Sequence, residues 1–398
     1  MKSRLRRTVA ALFSLMALLP APLRAQGLHR EIEQPLFHPA IELVRGQIQL
    51  VPEPDTVTFY MVGDVMSHGR MLRSAGEMYA GDSDNVHERF DYSSFFKYLE
   101  DDIKGADVAI CNMEFPLAGP PFRGYPLFSG PDSYPYYLAR TGFDVLLLAN
   151  NHILDQGSAG ASRTVQVLDQ VVDSTGVFYT GMSSDEADDQ ARNPLILTVK
   201  GLKVAIVNFT YGSNLAGQGK WPKVNMMDRQ EISRSIARAK AANVDLIFAL
   251  PHWGEEYHHR HSASQEAMAE WLVSEGTDLI VGAHPHVAQD TTTINGVPVI
   301  YSLGNAVSNQ NDLPARLELA VTVKVVVAPL TGEKKLLPPE LEFLWCTKPG
   351  MVEESYTVMK VKDVIGREDL WKDPADQANM ANTYWKVLED TGIEDDPR

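Results

Sequence analysis

Cysteine is nearly absent from this chain of 398 residues: Cys111 and Cys346 are the only two. Two thiols so far apart are no disulfide framework, and a chain this long does not need one. Cys111 lies inside an apolar run and reads as a core thiol. Positive charge is also in deficit, with a formal net charge of −16. That excludes nucleic-acid binding by counterion release. An anionic ligand would have to be held by metal ions or a few local arginines. No segment is collagen-like or strongly disordered, and there is no internal repeat or obvious linker. Apolar content of 44% against 22% charged residues is that of a globular protein, long enough for one large domain or two ordinary ones.

The apolar stretch Val9–Leu19 is too short to span a bilayer comfortably. It follows Lys2, Arg4, Arg6 and Arg7 and precedes Leu23-Arg24-Ala25. This is the pattern of a secretory signal cut after Ala25, which predicts an exported, periplasmic or extracellular protein; an uncleaved membrane anchor is the alternative. No cysteine stands near the cleavage position, which argues against a lipoprotein. Removal of 1–25, with those four residues, Arg24 and no acid, would take the net charge from −16 to −21. Residues 26–54 read as a leader with a short strand in 41–50, residues 55–330 as the main domain, and 331–398 as a C-terminal appendage.

Five apolar runs too short for helices end abruptly in polar residues. Val57–Val62 leads into Gly63-Asp64, Val108–Cys111 into Asn112 and Glu114, and Leu146–Ala149 into Asn150-Asn151-His152 with Asp155 beyond. Leu246–Leu250 leads into His252, and Leu279–Val281 into His284 and His286. This is how buried parallel strands deliver side chains to a site at their C-terminal ends. Helical patterns alternate with these runs through 57–286, at 91–104, 136–141, 158–175, 228–242 and 262–275, which argues βαβ units. After about residue 296 the chain turns mainly β, with one more helix expected at 375–388.

Of eleven histidines, five fall at strand ends, at 68, 152, 252, 284 and 286. His284-Pro285-His286 would place two imidazoles on one side of an extended chain. With His252 they suit a divalent transition metal, and Asp64, Glu114 and the Asn151 carbonyl oxygen supply the oxygen ligands such an ion also takes. His152 is suited to general acid duty, oriented by Asp155; Asp155 serves equally well as a helix cap. Glu255 or Glu256 could fix the tautomer of His252. The His258–His261 cluster is either a lid over substrate or a polar loop. Arg70, Arg123 and Arg260 are the candidate cations for an anionic substrate.

Together these residues resemble the CapA family of poly-γ-glutamate capsule synthesis proteins. The matching segments are Gly63–Met66, Asn112–Leu117, Ala149–His152 with Asp155 and Gly157, His252–Tyr257, Gly282–Val287 and Tyr301–Asn305, in the family's order. The resemblance implies an α/β fold of the calcineurin-like metallophosphoesterase type: a four-layer α/β/β/α sandwich with a dinuclear metal site, here followed by a mainly β appendage. It implies Asp64, Glu114, Asn151, His252, His284 and His286 as metal ligands and His152 as general acid. The expected cofactors are two divalent ions, Mn, Zn or Fe. The classical phosphoesterase pattern has a histidine where Met66 stands and an aspartate where Glu114 stands; His68, two residues on, is the nearest substitute and otherwise a substrate contact.

Two functions follow. One is an exported metal-dependent hydrolase acting on a phosphoester or γ-glutamyl amide. The other is a non-catalytic component of a capsule synthesis or export assembly, binding anionic polymer and partnered by a membrane synthase.

Overall fold

The computed structural model describes residues 41–44, 47–50 and 55–395, apart from 216–218 and 330. The expected signal segment and most of the leader lie outside these. Two compact units divide at Glu53/Pro54. In the first, β1 (Ile41–Val44) and β2 (Gln47–Leu50) form an antiparallel hairpin, two strands where the sequence suggests one.

The second unit is built on two sheets. The larger holds β3 (Asp55–Val65), β4 (Val108–Met113), β5 (Val145–Leu147) and β6 (Phe178–Thr180), all parallel. A short pairing of β7 (Met182–Ser183) with β10 (Lys223–Val224) stands apart. The smaller sheet holds β8 (Leu195–Val199), β9 (Leu202–Thr210), β11 (Leu246–His252), β12 (Leu279–Val281), β13 (Thr291–Ile294) and β14 (Val297–Ile300); β9, β11, β12 and β14 run parallel. The chain then returns to the larger sheet. There β15 (Asn305–Val307) and β16 (Leu317–Val327) pair with β3, β17 (Lys334–Leu336) and β18 (Glu340–Thr347) with β16, and β19 (Thr357–Lys360) with β18.

Alternation explains the layers. Leu317, Leu319, Val321, Val323 and Val325 of β16 join Val57, Phe59 and Met61 of β3 and, from the other sheet, Val204, Ile206 and Phe248 in one core between the sheets. The outer face of the larger sheet packs against Met71, Tyr134, Leu138, Val165 and Leu168 from the helices Gly69–Met78, Ser133–Thr141 and Gly157–Thr175. The smaller sheet packs against Ile232, Ile236, Ala269 and Leu272 from Arg229–Ala241 and Ala263–Ser274. The result is a four-layer α/β/β/α sandwich. The strands assigned to the C-terminal appendage run within the nine-stranded sheet, and the helix Pro374–Thr391 adds Met380, Tyr384 and Val387 to the inter-sheet core. Among the described residues no helix is long and apolar enough to cross a membrane.

The helix expected over 91–104 forms only at Glu100–Gly105. Phe95, Phe96, Leu99 and Ile103 are fully buried, as their spacing demands. The carbonyls of Ser94 and Phe95, however, accept from the Thr357 hydroxyl (2.6 Å) and the Val358 amide (2.9 Å). Ser94 O is left with a single turn bond from the Lys97 amide (3.4 Å), and Phe95 O is lost to a helical ladder.

Candidate metal centre and cleft

The C-terminal ends of β3, β4, β5, β11 and β12 meet, and each brings polar side chains. At the end of β3 the Asp64 amide donates to Gly304 O (3.0 Å). A Cβ on Gly63 would stand 1.8 Å from that same oxygen, so only glycine permits the approach. Asp64 Oδ1 accepts from Asn112 Nδ2 (2.6 Å) and Oδ2 from the His284 amide (3.2 Å). Asn112 is thus a positioning residue that the sequence reading passed over, although it shares the strand end with Glu114.

Glu114 is wholly buried, and neither of its carboxylate oxygens has a hydrogen-bond partner. Its Oε1 lies 3.7 Å from His252 Nε2 and 4.0 Å from His152 Nε2. Burial, and then the charge of Asp64, hold its pKa well above the carboxylate range. Burial also raises Asp64, against the pull of His286. The imidazoles move the other way: burial takes His252 well below its ordinary value, His284 down to about 3, and lowers His286. All three are therefore neutral, which is the ligating form.

His284 Nδ1 is buried without a partner. His286 Nδ1 donates to Asn305 Oδ1 (2.9 Å), leaving Nε2 with its lone pair. The two rings converge to 6.1 Å, but not by strand alternation. Both residues are left-handed, at φ 103° and 58°, so the extended-chain expectation is corrected. The His284 amide is drawn to Asp64, and Pro285 O is held by the Tyr257 amide (2.8 Å), which bends the segment away from the pleat.

Two groups result, Glu114 with His252 and His284, and Asp64 with Glu114 and His286; within each, the donor atoms lie within 4.8 Å of one another. Glu114 belongs to both. Orphaned carboxylate oxygens facing neutral imidazoles fit a divalent cation. Asn151 Oδ1, 2.8 Å from His252 Nε2, stands beside the first group.

His152 Nδ1 lies 2.7 Å from Asp155 Oδ2, which also accepts the Phe128 amide (2.8 Å). Asp155 therefore orients the ring and ties down the loop that carries Phe128; the N-cap position of the following helix falls to Gln156, whose side chain makes no capping hydrogen bond. The Phe128 ring meets His152 edge-on at 4.6 Å. Above lies a cleft of about 620 Å³ lined by His68, Tyr125, Phe128, Asn151, His152, Asn214, Glu256, Tyr257, His286 and Asn309–Asn311.

Other candidates stand elsewhere. His68 Nδ1 accepts from the Asn309 amide (3.1 Å) at the cleft wall. Arg123 is exposed and does not line the cleft. Nor does Arg260, which pairs with Asp290 (3.3 Å). Of the histidine cluster, His259 is tied to Ala288 O and His261 stacks on Tyr301 at 3.9 Å, as a pinned polar loop would. Glu256 lines the cleft, while the His252 ring is held by Asn112 and Asn151. The loop after β9 has no apolar period. It lays Tyr211 against His284 at 4.5 Å and brings the Asn214 amide nitrogen within 3.2 Å of His152 Nδ1.

The model of a family described as "Bacterial capsule synthesis protein PGA_cap" matches residues 58–310. "Capsule biosynthesis protein CapA" of Bacillus anthracis is 29% identical over 269 residues, 65% of this chain and 61% of that protein. "PGA biosynthesis protein CapA" of Bacillus subtilis is 29% identical over 266 residues, 64% of each chain. The match thus spans less than two thirds of either relative. A solved structure of a 5'-nucleotidase precursor from Thermus thermophilus superimposes with a TM-score of 0.41 at 14% identity, covering 84% of this chain and 59% of that one.

Proposed function

The chain belongs to the bacterial capsule synthesis protein PGA_cap family, and from that premise we propose that it is an exported metal-dependent hydrolase with two divalent ions in its centre. The observation that carries this reading is Glu114, buried with both oxygens unpartnered and shared by two groups of buried donors. One ion would be held by Glu114, His252 and His284, with Asn151 beside them, and the other by Asp64, Glu114 and His286. Bound there, divalent cations supply Lewis-acid activation of water and neutralise charge developing on the substrate.

The chain's own residues do the rest. Asp155 holds the His152 Nδ1 proton, so the Nε2 edge, 4.0 Å from Glu114 Oε1, is the one turned to the centre. In its protonated form that edge donates to a leaving oxygen or nitrogen. Asn112 and the His284 amide fix both oxygens of Asp64, so the ligand is placed before any ion arrives. Phe128 and Tyr211 cover His152 and His284 and exclude water from them. The substrate class is a phosphoester or a γ-glutamyl amide, in keeping with the capsule-related relatives.

Elemental analysis of natively purified protein, followed by a phosphoester and γ-glutamyl amide screen with Mn, Zn, Fe and Mg, tests the proposal. Bound metal and turnover abolished by His284→Ala are expected. Protein without metal ends the hydrolase reading. Bound metal with no turnover but retention of polymer would favour a binding component of a synthesis or export assembly.

A further inference from the structure

The cleft has one wall whose charge the metal centre does not explain. His68, Asn309, Gln310 and Asn311 line it, and their side chains are anchored from behind. Asn309 donates its amide to His68 Nδ1 (3.1 Å), while its Oδ1 accepts from the Tyr356 hydroxyl (2.5 Å). Asn311 Oδ1 accepts from Lys348 Nζ (2.5 Å). Lys348 follows β18 directly, and Arg70, two residues after His68, opens the helix Gly69–Met78. Arg316 lies beneath, 3% exposed, its guanidinium donating to Cys346 O (3.0 Å) and Met351 Sδ (3.1 Å) and stacked 4.4 Å from the Trp345 ring.

Lys348 thus reaches the rim through Asn311, with Arg70 at the start of the helix that follows His68 and Arg316 buried beneath, and none of the three side chains has a carboxylate partner among the described residues. The Arg70 side chain makes no hydrogen bond or ion pair among them. The chain carries 52 acids against 36 lysines and arginines, so basic side chains without acidic partners run against its composition. Their repulsion is felt: burial first, then Arg316 and, more weakly, Arg70 lower the pKa of Lys348. The acid whose charge reaches this group is Asp376, and it acts on Arg316. Like charges without acidic partners near the edge of a cleft are stabilised by an incoming anion.

We propose that Arg70 and Lys348 form an anion subsite at the Asn309–Asn311 rim of the cleft, taking a carboxylate or phosphate group of a ligand that lies along it. Arg316 adds fixed positive potential from below, and Asn311 holds the Lys348 ammonium at the rim. The subsite is separate from the metal ligands and needs no catalysis, so it stands or falls apart from the hydrolase reading.

Titration calorimetry on metal-depleted full-length protein at low salt tests it, with inorganic phosphate and glutarate as ligands. Arg70→Gln and Lys348→Gln are each expected to weaken binding about tenfold or more, the loss of one charged hydrogen bond. Lys335→Gln, exposed on β17, should leave it unchanged. Tighter glutarate than phosphate identifies a carboxylate ligand, and the reverse a phosphate. The Tm of Lys348→Gln should hold or rise, because a repulsion has been removed. Equal affinity in wild type and the double variant, no binding of either anion to wild type, or a fall in Tm with Lys348→Gln would each overturn the subsite. A protein that binds glutarate through these residues yet purifies without metal would keep the subsite and end the hydrolase proposal.

Discussion

At the scale of single residues, a group opposed to folding of the metal-free chain at neutral pH is Glu114. Its pKa is raised, so the folded chain keeps a proton that the unfolded chain releases. Its contribution is full below the ordinary 4.5 and is lost as pH rises toward the folded value. Glu114→Gln should therefore stabilise metal-depleted protein at pH 8 by about 1–3 kcal/mol, the scale of an unsatisfied buried group. It should also erase the rise in Tm produced by added Mn or Zn, and an undiminished rise would remove Glu114 from the site. Histidine runs in the opposite direction. Burial, then His286, His152 and Lys348, push His68 from 6.5 down to about 3. The unfolded chain then takes the proton first, so this contribution is complete above 6.5 and disappears as pH falls from 6.5 to 3. His68→Gln should shrink the loss of unfolding free energy between pH 7.5 and 5, read from urea titrations. An identical loss would place the acid sensitivity elsewhere.

The strand is the element that made the site readable. A strand buried on both faces is an apolar run, and the first polar side chains past its end have only the site to enter. Asp64, Glu114, Asn151, His152, His252 and the two histidines after β12 are all visible on that argument alone. Gly63 is visible too, as a close approach, and the structure supplies its reason in Gly304 O. Gly63→Ala should cost about 1–3 kcal/mol by overpacking against backbone and weaken metal uptake, because Asp64 rides on the displaced strand. Differential scanning calorimetry with metal analysis checks both; an unchanged metal content would show that the loop absorbs the methyl. What the sequence hid lies where partners are remote or backbone is irregular. Asn214 and Tyr211 arrive on a loop with no period, Asn305 and Lys348 come from strands that return to the larger sheet late, and His284 and His286 converge through left-handed turns. The helix expected over 91–104 failed for a related reason: spacing reports which side chains are buried, not whether a distant strand takes the carbonyls.

At the scale of the molecule, the turn to a mainly β pattern after about residue 296 suggests an appendage at 331–398, yet the larger sheet is finished only by strands within that span. Trp345 and Phe343 of β18 lie in the inter-sheet core beside Leu317 and Leu319, and Tyr384 of the helix Pro374–Thr391 meets Phe343 edge-on at 5.3 Å. An antiparallel strand packed on one face and a helix laid on it look peripheral in sequence, because their apolar positions are spaced like those of any surface element. Their partners make them part of the core. Lys348 ties the same region to Asn311 of the cleft wall, so loss of these strands would also unmake the rim that faces the metal centre. Met380→Ala should then cost about 2–5 kcal/mol, as for a fully buried side chain, although it lies in the last helix. A chain ended at residue 330 should show no cooperative thermal transition by circular dichroism and no metal uptake. A truncated chain that melts cooperatively and still takes up metal would mean that residues 55–330 fold alone and that β17–β19 merely lie against them.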